Sequence, residues 1–457
     1  MSVRYRMSNP ASSTHHRKVL AGLTLGMLSV AGASAAAMST GAVSGSASTR
    51  VETVSSVSRP VGRDLPGREP KVVGRAGMVF VQSNDPEQNS VLAFRRAADG
   101  ALTPAGEFRT GGRGGSQRDN PFDPLASQES LVFDRAHKTM IAVNAGSNTV
   151  TTFRVRGGRL TDRRTVSSGG DFPSSIAVSG RTVYVLNAGG RTNVTGFRMT
   201  RRGLRPLRNS TREIGVTNDA VPLFTDSPPQ VGFSPDGKHL VVTTKSANTL
   251  EVFAVDRSGR LARQAVSNKS VGAVPFSFVF DQGGHLLVTE AAKSGVTSYS
   301  LQDDGQLDVI TPSVESGQQV LCWIARAGNF FYGTNPGSST ISLYTVDAQG
   351  KVTLKGKDGV IANAGGAAAA ADVAAASAAA AAEATEAPTE AAKAPGAGPI
   401  DLAATADGGL LYVQNTLAGT VEGFRVGADG SLTLVTTLDE GLPVFADGSG
   451  MEGLVVW

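Results

Sequence analysis

Cysteine is almost missing from this sequence, since Cys322 is the single one among 457 residues. No intrachain disulfide can form, and the folded state must be stabilised by its core. Histidine is nearly as rare, with five in the chain, and no zinc-ligand spacing occurs. A phosphate-binding loop, a dinucleotide fingerprint and a nucleophile elbow are also missing. The sequence therefore offers no familiar motif for metal, nucleotide or serine-hydrolase chemistry.

A hydrophobic run long enough to span a membrane stably is lacking as well. The apolar run at the amino end, Val19 to Ala33, is short, follows a basic segment and ends in Ala33-Ser34-Ala35. This pattern is typical of a signal peptide with a small-x-small cleavage site. We predict a signal peptide at 1–35, a secreted or cell-envelope location, and no transmembrane segment after cleavage; a retained anchor is the alternative. No cysteine stands near the site, which excludes lipidation there.

Charge is balanced once the predicted signal peptide is removed. Residues 1–35 hold four basic and no acidic residues, so the rest of the chain has equal numbers of each. Residues 36–75 are rich in Ser, Thr, Gly, Val and Arg without periodicity, which predicts a disordered tether. The 154–212 segment carries thirteen arginines against Asp162 and Asp171. We interpret it as a solvated rim, and binding of a polyanion is the alternative.

Seven copies of one short phrase organise the remainder of the chain. The complete copies, each followed by a closing aromatic residue, are Tyr184 to Asn187 with Phe197, Tyr332 to Asn335 with Tyr344, and Tyr412 to Asn415 with Phe424. The degenerate copies are Phe80 to Ser83 with Phe94, Ile141 to Asn144 with Phe153, Val241 to Thr244 with Phe253, and Leu287 to Glu290 with Tyr299. A period of tens of residues indicates a repeat architecture.

Each repeat divides into four short β-rich runs separated by Asp-Gly or other glycine turns, which are hairpin signals. A unit of roughly 45 residues with four strands is typical of a propeller blade. The first copy has no innermost strand before it, whereas an apolar strand, Gly450 to Trp457, follows the last copy. We therefore predict an all-β, seven-bladed β-propeller of four-stranded blades over 76–457, whose ring is closed by the C-terminal strand.

A family resemblance follows from these residues. The Tyr-Val-x-Asn phrases, the Ser-Pro-Asp-Gly turn at 234–237 and the seven units resemble the seven-bladed lactonase-like propellers with the YVTN repeat. That group includes 6-phosphogluconolactonases and carboxymuconate-cyclising enzymes. The resemblance covers 76–457 except for an Ala-rich insertion at 361–398 between blades 6 and 7. It implies hydrolysis or cyclisation of a lactone, but the repeat residues themselves read as structural: the asparagine caps a turn by bonding the backbone, and the aromatic packs between blades.

Extra residues at 110–128, 213–228 and 361–398 each precede an innermost strand, so we expect all three on one face of the ring. Insertions tend to decorate the binding face of repeat folds. The third is nearly all alanine, with helix propensity but no apolar stripe. We expect it to be a flexible or partly helical tether rather than a lid.

Alignment of the innermost strands on their turns places one residue of each blade at the mouth of the channel. These are Ser130, Ser175, Gln230, Ser277, Leu321, Asp401 and Glu452. Asp401 and Glu452 fall on adjacent blades, where paired carboxylates can share a proton or bind a metal. A hydrated channel lining is the alternative interpretation.

The turns after the second strands supply further candidates. Lys245 follows this turn in blade four, and Glu290 takes the asparagine position in blade five. Together they could orient an acidic or lactone substrate, or they could form an exposed ion pair of little energetic value. Asn187 and Asn335 occupy the same turns and join the polar mouth residues as substrate-binding candidates.

Two functions follow from these candidates. The first is an exported lactonase-like hydrolase or cyclase with Glu290, Asp401 and Glu452 as acid/base groups and Lys245 as their electrostatic partner. The second is a non-catalytic extracellular propeller that binds a small ligand or a cell-envelope polymer. We expect no cofactor, although a divalent cation at Asp401 and Glu452 is possible chemically. We expect no nucleic acid partner. We expect the protein to be a monomer.

The histidines weigh against the phosphogluconolactonase activity of the family. His137, His239 and His285 all fall in hairpins between first and second strands, opposite the face with the insertions. No histidine is therefore predicted near a lactone on that face. No Arg or His cluster for a sugar phosphate aligns there either, so we do not transfer this activity.

Overall fold

The computed structural model describes residues 75–365, 396–443 and 450–457. The predicted signal peptide, nearly all of the predicted tether and most of the Ala-rich insertion lie outside the described residues. Apart from one 3₁₀ turn (Ala145–Ser147), the regular structure of the described part consists of strands. In chain order they are β1 (Gly77–Gln82), β2 (Ser90–Arg96), β3 (Leu102–Arg109), β4 (Leu131–Asp134), β5 (Thr139–Asn144), β6 (Thr149–Arg156), β7 (Arg159–Ser167), β8 (Asp171–Ser179), β9 (Thr182–Gly189), β10 (Arg191–Thr200), β11 (Gly203–Pro206), β12 (Arg212–Thr217), β13 (Val231–Phe233), β14 (His239–Thr244), β15 (Thr249–Ala254), β16 (Val266–Lys269), β17 (Pro275–Phe280), β18 (Leu286–Glu290), β19 (Gly295–Leu301), β20 (Leu307–Glu315), β21 (Ile324–Ala327), β22 (Phe330–Asn335), β23 (Thr340–Val346), β24 (Val352–Lys355), β25 (Ala362–Asn363), β26 (Pro399–Ala404), β27 (Leu410–Asn415), β28 (Thr420–Val426), β29 (Leu432–Leu438) and β30 (Leu454–Val456).

These strands form seven antiparallel sheets, each of which is one blade. From the inner to the outer strand the blades are β30-β1-β2-β3, β4 to β7, β8 to β11, β13 to β16, β17 to β20, β21 to β24 and β26 to β29. The short strands β12 and β25 add to the third and sixth blades by pairing with β10 and β23. The innermost strands contact one another around the ring. The predicted all-β, seven-bladed propeller is confirmed.

The last strand of the chain completes the first blade. β30 pairs antiparallel with β1, with Val456 opposite Val79 and Leu454 opposite Val81. Backbone bonds extend this pairing at both ends. At one end Met78 and Trp457 exchange two amide-to-carbonyl bonds of 2.8 Å, and at the other the amide of Gln82 donates to the carbonyl of Gly453 (3.0 Å). Pairing with the C-terminal strand covers an edge of β1 that would otherwise be exposed.

The seven closing aromatic residues pack between blades, as predicted. Phe197 illustrates the pattern, because it lies in one buried cluster with Val143 of the second blade and Val183 of the third. Each of the seven falls in a different cluster that joins two neighbouring blades: Phe94, Phe153, Phe197, Phe253, Tyr299, Tyr344 and Phe424. Burial of one aromatic side chain per interface stabilises the ring at every blade boundary.

The first tyrosine of each complete phrase makes a hydrogen bond to the next blade. The hydroxyl of Tyr412 donates to the carbonyl oxygen of Gly100 (2.7 Å), in the hairpin between β2 and β3. Two further tyrosines make the same contact, with the glycine hairpin between the third and fourth strands of the following blade: Tyr184 to Gly259 (3.0 Å) and Tyr332 to Gly430 (2.7 Å). The phrase therefore bonds blades together.

The asparagine that ends the phrase holds the turn after the second strand. Asn415 Nδ2 donates to Thr420 Oγ1 (3.1 Å) and to a carboxylate oxygen of Glu422 (3.0 Å). Asn335 Nδ2 donates to Thr340 Oγ1 (3.2 Å) and, in the manner predicted, to the backbone carbonyl of that residue (3.3 Å). Most partners are thus side chains of the third strand, because its polar residues face the turn.

Candidate active site

The first two insertions pack on each other over one mouth of the channel; we call residues 110–128 and 213–228 together the cap. The amide of Arg118 donates to the carbonyl of Pro222 (3.0 Å), and the amide of Phe224 donates back to Arg118 (2.9 Å). Ser227 Oγ donates to the side-chain oxygen of Gln117 (2.9 Å). The two insertions therefore lie on the same face of the ring, as expected. The ends of the third insertion, Ala364 and Ala397, contact each other.

The cap is anchored to the innermost strand of the sixth blade. Trp323 Nε1 donates to the carbonyl oxygen of Ser127 (2.7 Å). Gln128 exchanges two bonds with the backbone of Ile324, donating to its carbonyl (3.0 Å) and accepting from its amide (3.2 Å). Phe122 is buried against the sixth and seventh blades. These contacts cross the channel and close it on the insertion side.

Asp123 and Glu452 lie beneath the cap with their carboxyl groups hydrogen-bonded to each other. Both are buried, and Asp123 Oδ2 and Glu452 Oε1 have no other hydrogen-bond partner within the described ranges. Burial raises the pKa of Glu452 well above its usual value, and the Asp123 charge raises it further. Burial also raises the pKa of Asp123, against the lowering effect of its bond to Glu452. The pair is thus suited to sharing one proton.

Lys245 is the cation next to this pair. Its Nζ donates to the carbonyl oxygen of Phe224 in the cap and lies over two rings, 4.6 Å from the centroid of Phe224 and 5.4 Å from that of Phe276. Burial lowers the pKa of Lys245 to about 8, and the negative charge of Asp123 opposes that shift. This arrangement fixes the second insertion over the carboxyl pair.

Glu290 lies apart from the carboxyl pair, in a different hydrogen-bonding environment. Its Oε1 accepts from the amide of Gly272 (2.7 Å), from Thr297 Oγ1 (2.7 Å) and from Ser270 Oγ (3.3 Å). The carboxylate is buried in the turn of its own blade, and Oε2 has no hydrogen-bond partner among the described residues. The structure therefore does not place Glu290 with Asp401 and Glu452.

Most of the polar mouth residues bond the innermost strands of neighbouring blades. Ser130 Oγ donates to the carbonyl of Glu452 (3.1 Å), and Gln230 exchanges side-chain bonds with the backbone of Phe278. The other two serines do the same, Ser175 to Gln128 (2.7 Å) and Ser277 to Cys322 (2.5 Å). Leu321 is buried in the apolar cluster between the fifth and sixth blades. Asn187 and Asn335 are buried in their turns.

The channel is open on the opposite face, where a cavity of about 650 Å³ enters between the hairpins that follow the innermost strands. A second cavity of about 210 Å³ continues it inward, since Glu129, Val279 and Arg326 line both. Asp401 lines the inner cavity. The open space thus brings two carboxyl groups and one guanidinium group together.

The backbone of Glu129 adopts an unusual conformation immediately before β4. Its φ of 67° lies in the left-handed region, which costs energy for a residue with a Cβ. The adjacent Gln128 bonds the sixth blade and the Glu129 carbonyl accepts from the amide of Ile176 (2.9 Å). The loop is therefore held from both sides while the Glu129 side chain stays exposed in the channel.

The pKa values of the two channel carboxyl groups are raised. Although water reaches Glu129, protein surrounds it in the channel, and this desolvation raises its pKa to about 7. Burial raises the pKa of Asp401 well above its usual value, and the Glu129 charge raises it further. Amide bonds from Leu402 (2.9 Å) and Leu454 (2.7 Å) oppose that shift. A carboxyl group with a raised pKa keeps its proton to higher pH and can act as an acid, so Asp401 is a candidate acid and Glu129 a candidate base.

The described ranges contain no cluster of three or more His, Cys, Asp or Glu residues arranged to hold a metal ion. The same residues contain no helix long and apolar enough to span a membrane. His137 and His285 lie on the face where the channel is open and hydrogen-bond to Asp134 and Asp281, so their imidazoles are held outside the channel cavity.

Sequence reasoning named Asp401 as a candidate and did not name Glu129. One position before each predicted mouth residue, the other blades carry a small or apolar residue: Ser174, Pro229, Phe276, Val320, Ile400 and Met451. Glu129 is the lone carboxylate in that row, which is the signal that could have found it. Asp123 has no equivalent in other repeats, because it belongs to an insertion.

Comparison with known proteins agrees with this architecture. The family described as "Lactonase, 7-bladed beta-propeller" has a model that matches residues 216–325. No protein with a curated description matches the sequence.

Solved structures share the fold at low sequence identity. A periplasmic gluconolactonase from Pseudomonas aeruginosa is 17% identical, with a TM-score of 0.58 over 84% of this chain and 99% of that one. A 6-phosphogluconolactonase candidate from Bacteroides fragilis has the same identity and TM-score over 85% and 100%. A protein from Lactobacillus plantarum is 14% identical, with a TM-score of 0.59 over 84% and 100%.

The solved structures agree with the fold, an all-β seven-bladed propeller, and the family model matches one part of it. The predicted resemblance is confirmed: the chain is similar to the seven-bladed lactonase-like propellers, and its structural neighbours include 6-phosphogluconolactonase-like propellers.

Proposed function

We propose that the protein is an exported lactone hydrolase whose reaction takes place in the channel cavity. One observation carries this proposal: Glu129, Asp401 and Arg326 line one solvent-connected space, and the two carboxyl groups have raised pKa values. Perturbed pKa values in a cleft are typical of catalytic groups. The signal-peptide pattern of residues 1–35 supports export, and the gluconolactonase named above supports the reaction class.

In the proposed reaction Glu129 acts as general base. It takes a proton from a water molecule while the water oxygen bonds to the lactone carbonyl carbon. The carbonyl oxygen becomes an oxyanion, and the positive charge of Arg326 at the cavity wall stabilises it.

Asp401 completes the reaction as general acid. When the carbonyl re-forms, the ring C–O bond breaks and Asp401 gives its proton to the departing oxygen, which yields the hydroxy acid. The proton held by Glu129 then returns to Asp401 through water, and both groups regain their starting states. No proton is gained or lost by the enzyme over one turnover.

The charges of the cavity favour an uncharged lactone. Arg135 and Arg326 are its basic residues, and Glu129 and Asp134 are acidic residues on the same wall. Arg135 is already engaged, since its Nη2 donates to the carbonyl of Val456 (2.7 Å). Ligand cavities commonly range from about 300 to 1,000 Å³, so a five- or six-membered lactone ring fits this one.

The test is hydrolysis of a panel of unphosphorylated lactones by the mature protein, with and without a chelator. We expect Glu129→Gln and Asp401→Asn each to lower kcat/KM by about 100-fold or more. Glu107→Gln, which removes an exposed carboxylate from the outer strand of blade 1, should leave the rate within two-fold. Full activity of both channel variants would refute the assignment. Chelator-insensitive turnover is expected, because no cofactor enters the proposed steps.

A second candidate function is non-catalytic binding of a small ligand or envelope polymer by a monomeric propeller. Two observations favour it. The cap closes the mouth that carries Lys245 and Glu452, and Glu290 lies apart from them in the turn of its own blade. In this case wild type would hydrolyse no lactone of the panel, but glycans or wall fragments would raise its melting temperature. Wild-type turnover that is lost in Glu129→Gln supports the hydrolase, whereas no wild-type turnover together with ligand-dependent melting shifts supports the binding function.

A further inference from the structure

A second, strongly basic pocket lies outside the channel, between the second and third blades. Its volume is about 380 Å³. The hairpin between β4 and β5 forms one wall of the pocket. The other walls are the ends of β6 and β10 and the turn between β8 and β9, and the floor includes the buried side chains of Val155 and Met199. Its basic lining residues are His137, Lys138, Arg154, Arg156, Arg181 and Arg201, and no acidic residue lines it.

Few of these charges are neutralised. Asp162 pairs with Arg156 at 3.2 Å, and Asp134 pairs with His137. Lys138, Arg181 and Arg201 form no ion pair with any of the described residues. Several cations around a partly apolar floor produce a concentrated positive potential, because the low-polarity wall screens it less than water does.

One arginine is held in position by the backbone. Arg154 Nη1 donates to the carbonyl oxygen of His137 (2.7 Å), which fixes the guanidinium at the wall of the pocket. Its other N–H groups donate to none of the described residues, and an arginine fork matches the spacing of two oxygens on a phosphoryl group. A fixed guanidinium also loses less side-chain entropy on binding than a free one.

We propose that this pocket binds an anion with several phosphoryl charges. It refines the interpretation of the 154–212 arginines as a solvated rim, because four of them, Arg154, Arg156, Arg181 and Arg201, converge on one concave site. The site is independent of lactone hydrolysis: among the lining residues only Ala136 also contacts the channel cavity.

The experiment is titration of the mature protein with inorganic tripolyphosphate at two salt concentrations, followed by calorimetry. We expect saturable binding that weakens as salt rises. Arg181→Gln/Arg201→Gln should raise Kd by ten-fold or more. The matched control, Arg205→Gln/Arg208→Gln, removes the same charge from exposed positions of the same segment outside the pocket and should change Kd less than two-fold.

Orthophosphate and long-chain polyphosphate serve as the other arms. Stronger binding of tripolyphosphate than of orthophosphate supports a multivalent site of this size, and binding of the long chain at several equivalents per protein would point to a diffuse field instead. Equal losses in the two double variants, or no saturable binding by folded wild type, would overturn the proposal. Circular dichroism of each variant establishes that it is folded.

Discussion

The carboxyl groups of Asp123 and Glu452 hydrogen-bond to each other beneath the cap, one from an insertion and the other from the segment that closes the ring. A carboxyl group whose pKa is raised by folding stabilises the fold fully below its unfolded pKa, and this contribution is lost as pH rises through the folded pKa. For Glu452 the loss begins above about pH 4.5.

We therefore predict that the unfolding free energy of the wild type is higher at pH 5 than at pH 7. Glu452→Gln keeps a hydrogen-bond donor towards Asp123 but does not titrate, so it should shrink this difference by about 1 kcal/mol or more. Urea unfolding at both pH values measures it. An unchanged difference in Glu452→Gln, beside an unchanged Glu107→Gln control, would show that the pair does not share a proton.

The pH profile of catalysis tests Glu129. A general base must be ionised, so kcat/KM on a lactone should rise with pH through about 7, which is the raised pKa of Glu129. The rise comes from deprotonation, and activity falls as pH drops below that value. Glu129→Gln should lose this limb together with most of the rate. A rising limb that persists at the same pH in the variant would assign it to another group.

Removal of the Lys245 charge should loosen the cap. Lys245→Met keeps an unbranched side chain beneath Phe224 but loses the bond from Nζ to the Phe224 carbonyl and the cation–π contacts. We expect faster amide hydrogen exchange over 218–226 and little change in the outer strands. Lys293→Met, whose lysine is exposed beside Glu315, is the control. Unchanged exchange over the cap would show that other contacts suffice to hold it.

The interblade tyrosine bonds can be ranked by a matched pair of substitutions. Tyr412→Phe keeps the aromatic side chain but removes the 2.7 Å hydrogen bond from its hydroxyl to the Gly100 carbonyl. It should lower the unfolding free energy by about 1 kcal/mol. Tyr344→Phe removes a longer bond of 3.4 Å to Val314 and should cost less. Equal melting temperatures for both variants and the wild type would mean that the hydroxyl groups contribute nothing beyond ring packing.

Ring closure predicts a large effect from a small deletion. Loss of Met451 to Trp457 removes the innermost strand of blade 1 and leaves the β1 edge unpaired. We expect the truncated protein to lose its cooperative thermal transition. Trp457→Ala keeps the backbone pairing and removes one edge contact with Phe133 (ring centroids 5.6 Å apart), so it should retain the transition at a lower temperature. A cooperative transition in the truncated protein would disprove closure by β30.

The architecture was predictable because its signals repeat. The phrase and its closing aromatic, such as Tyr184 and Phe197, occur seven times and pack in the same way at seven blade boundaries. Each copy therefore supports the interpretation of the others. The C-terminal strand followed from counting, since Gly450 to Trp457 had no other blade to complete. Local bonding was less predictable: the asparagine of the phrase bonds chiefly to side chains of the next strand, which depends on which residues face the turn.

The candidate site was less accessible to sequence reasoning, since it depends on features that occur once. Asp123 reaches Glu452 through the path of an insertion, and no repeat pattern gives that path. Because the channel is closed on the insertion side, the carboxyl groups that line its open cavity are Glu129 and Asp401, on the other side. Glu129 reaches the channel through a left-handed backbone conformation. Asp401 was a candidate because the innermost strands can be aligned on their turns, although the pairing of β26 with β27 is irregular at this residue.

The pairing of β1 with β30 also sets the order in which the ring can be completed during synthesis. β1 is made before all the other described strands, but its inner neighbour β30 is made after them, so blade 1 is completed only when β30 has been synthesised. Until β30 pairs with β1, blade 1 lacks its innermost strand and the ring is open at that blade. Under the export proposed above, the chain passes through a translocation pore before β30 pairs with β1, while the ring is still open.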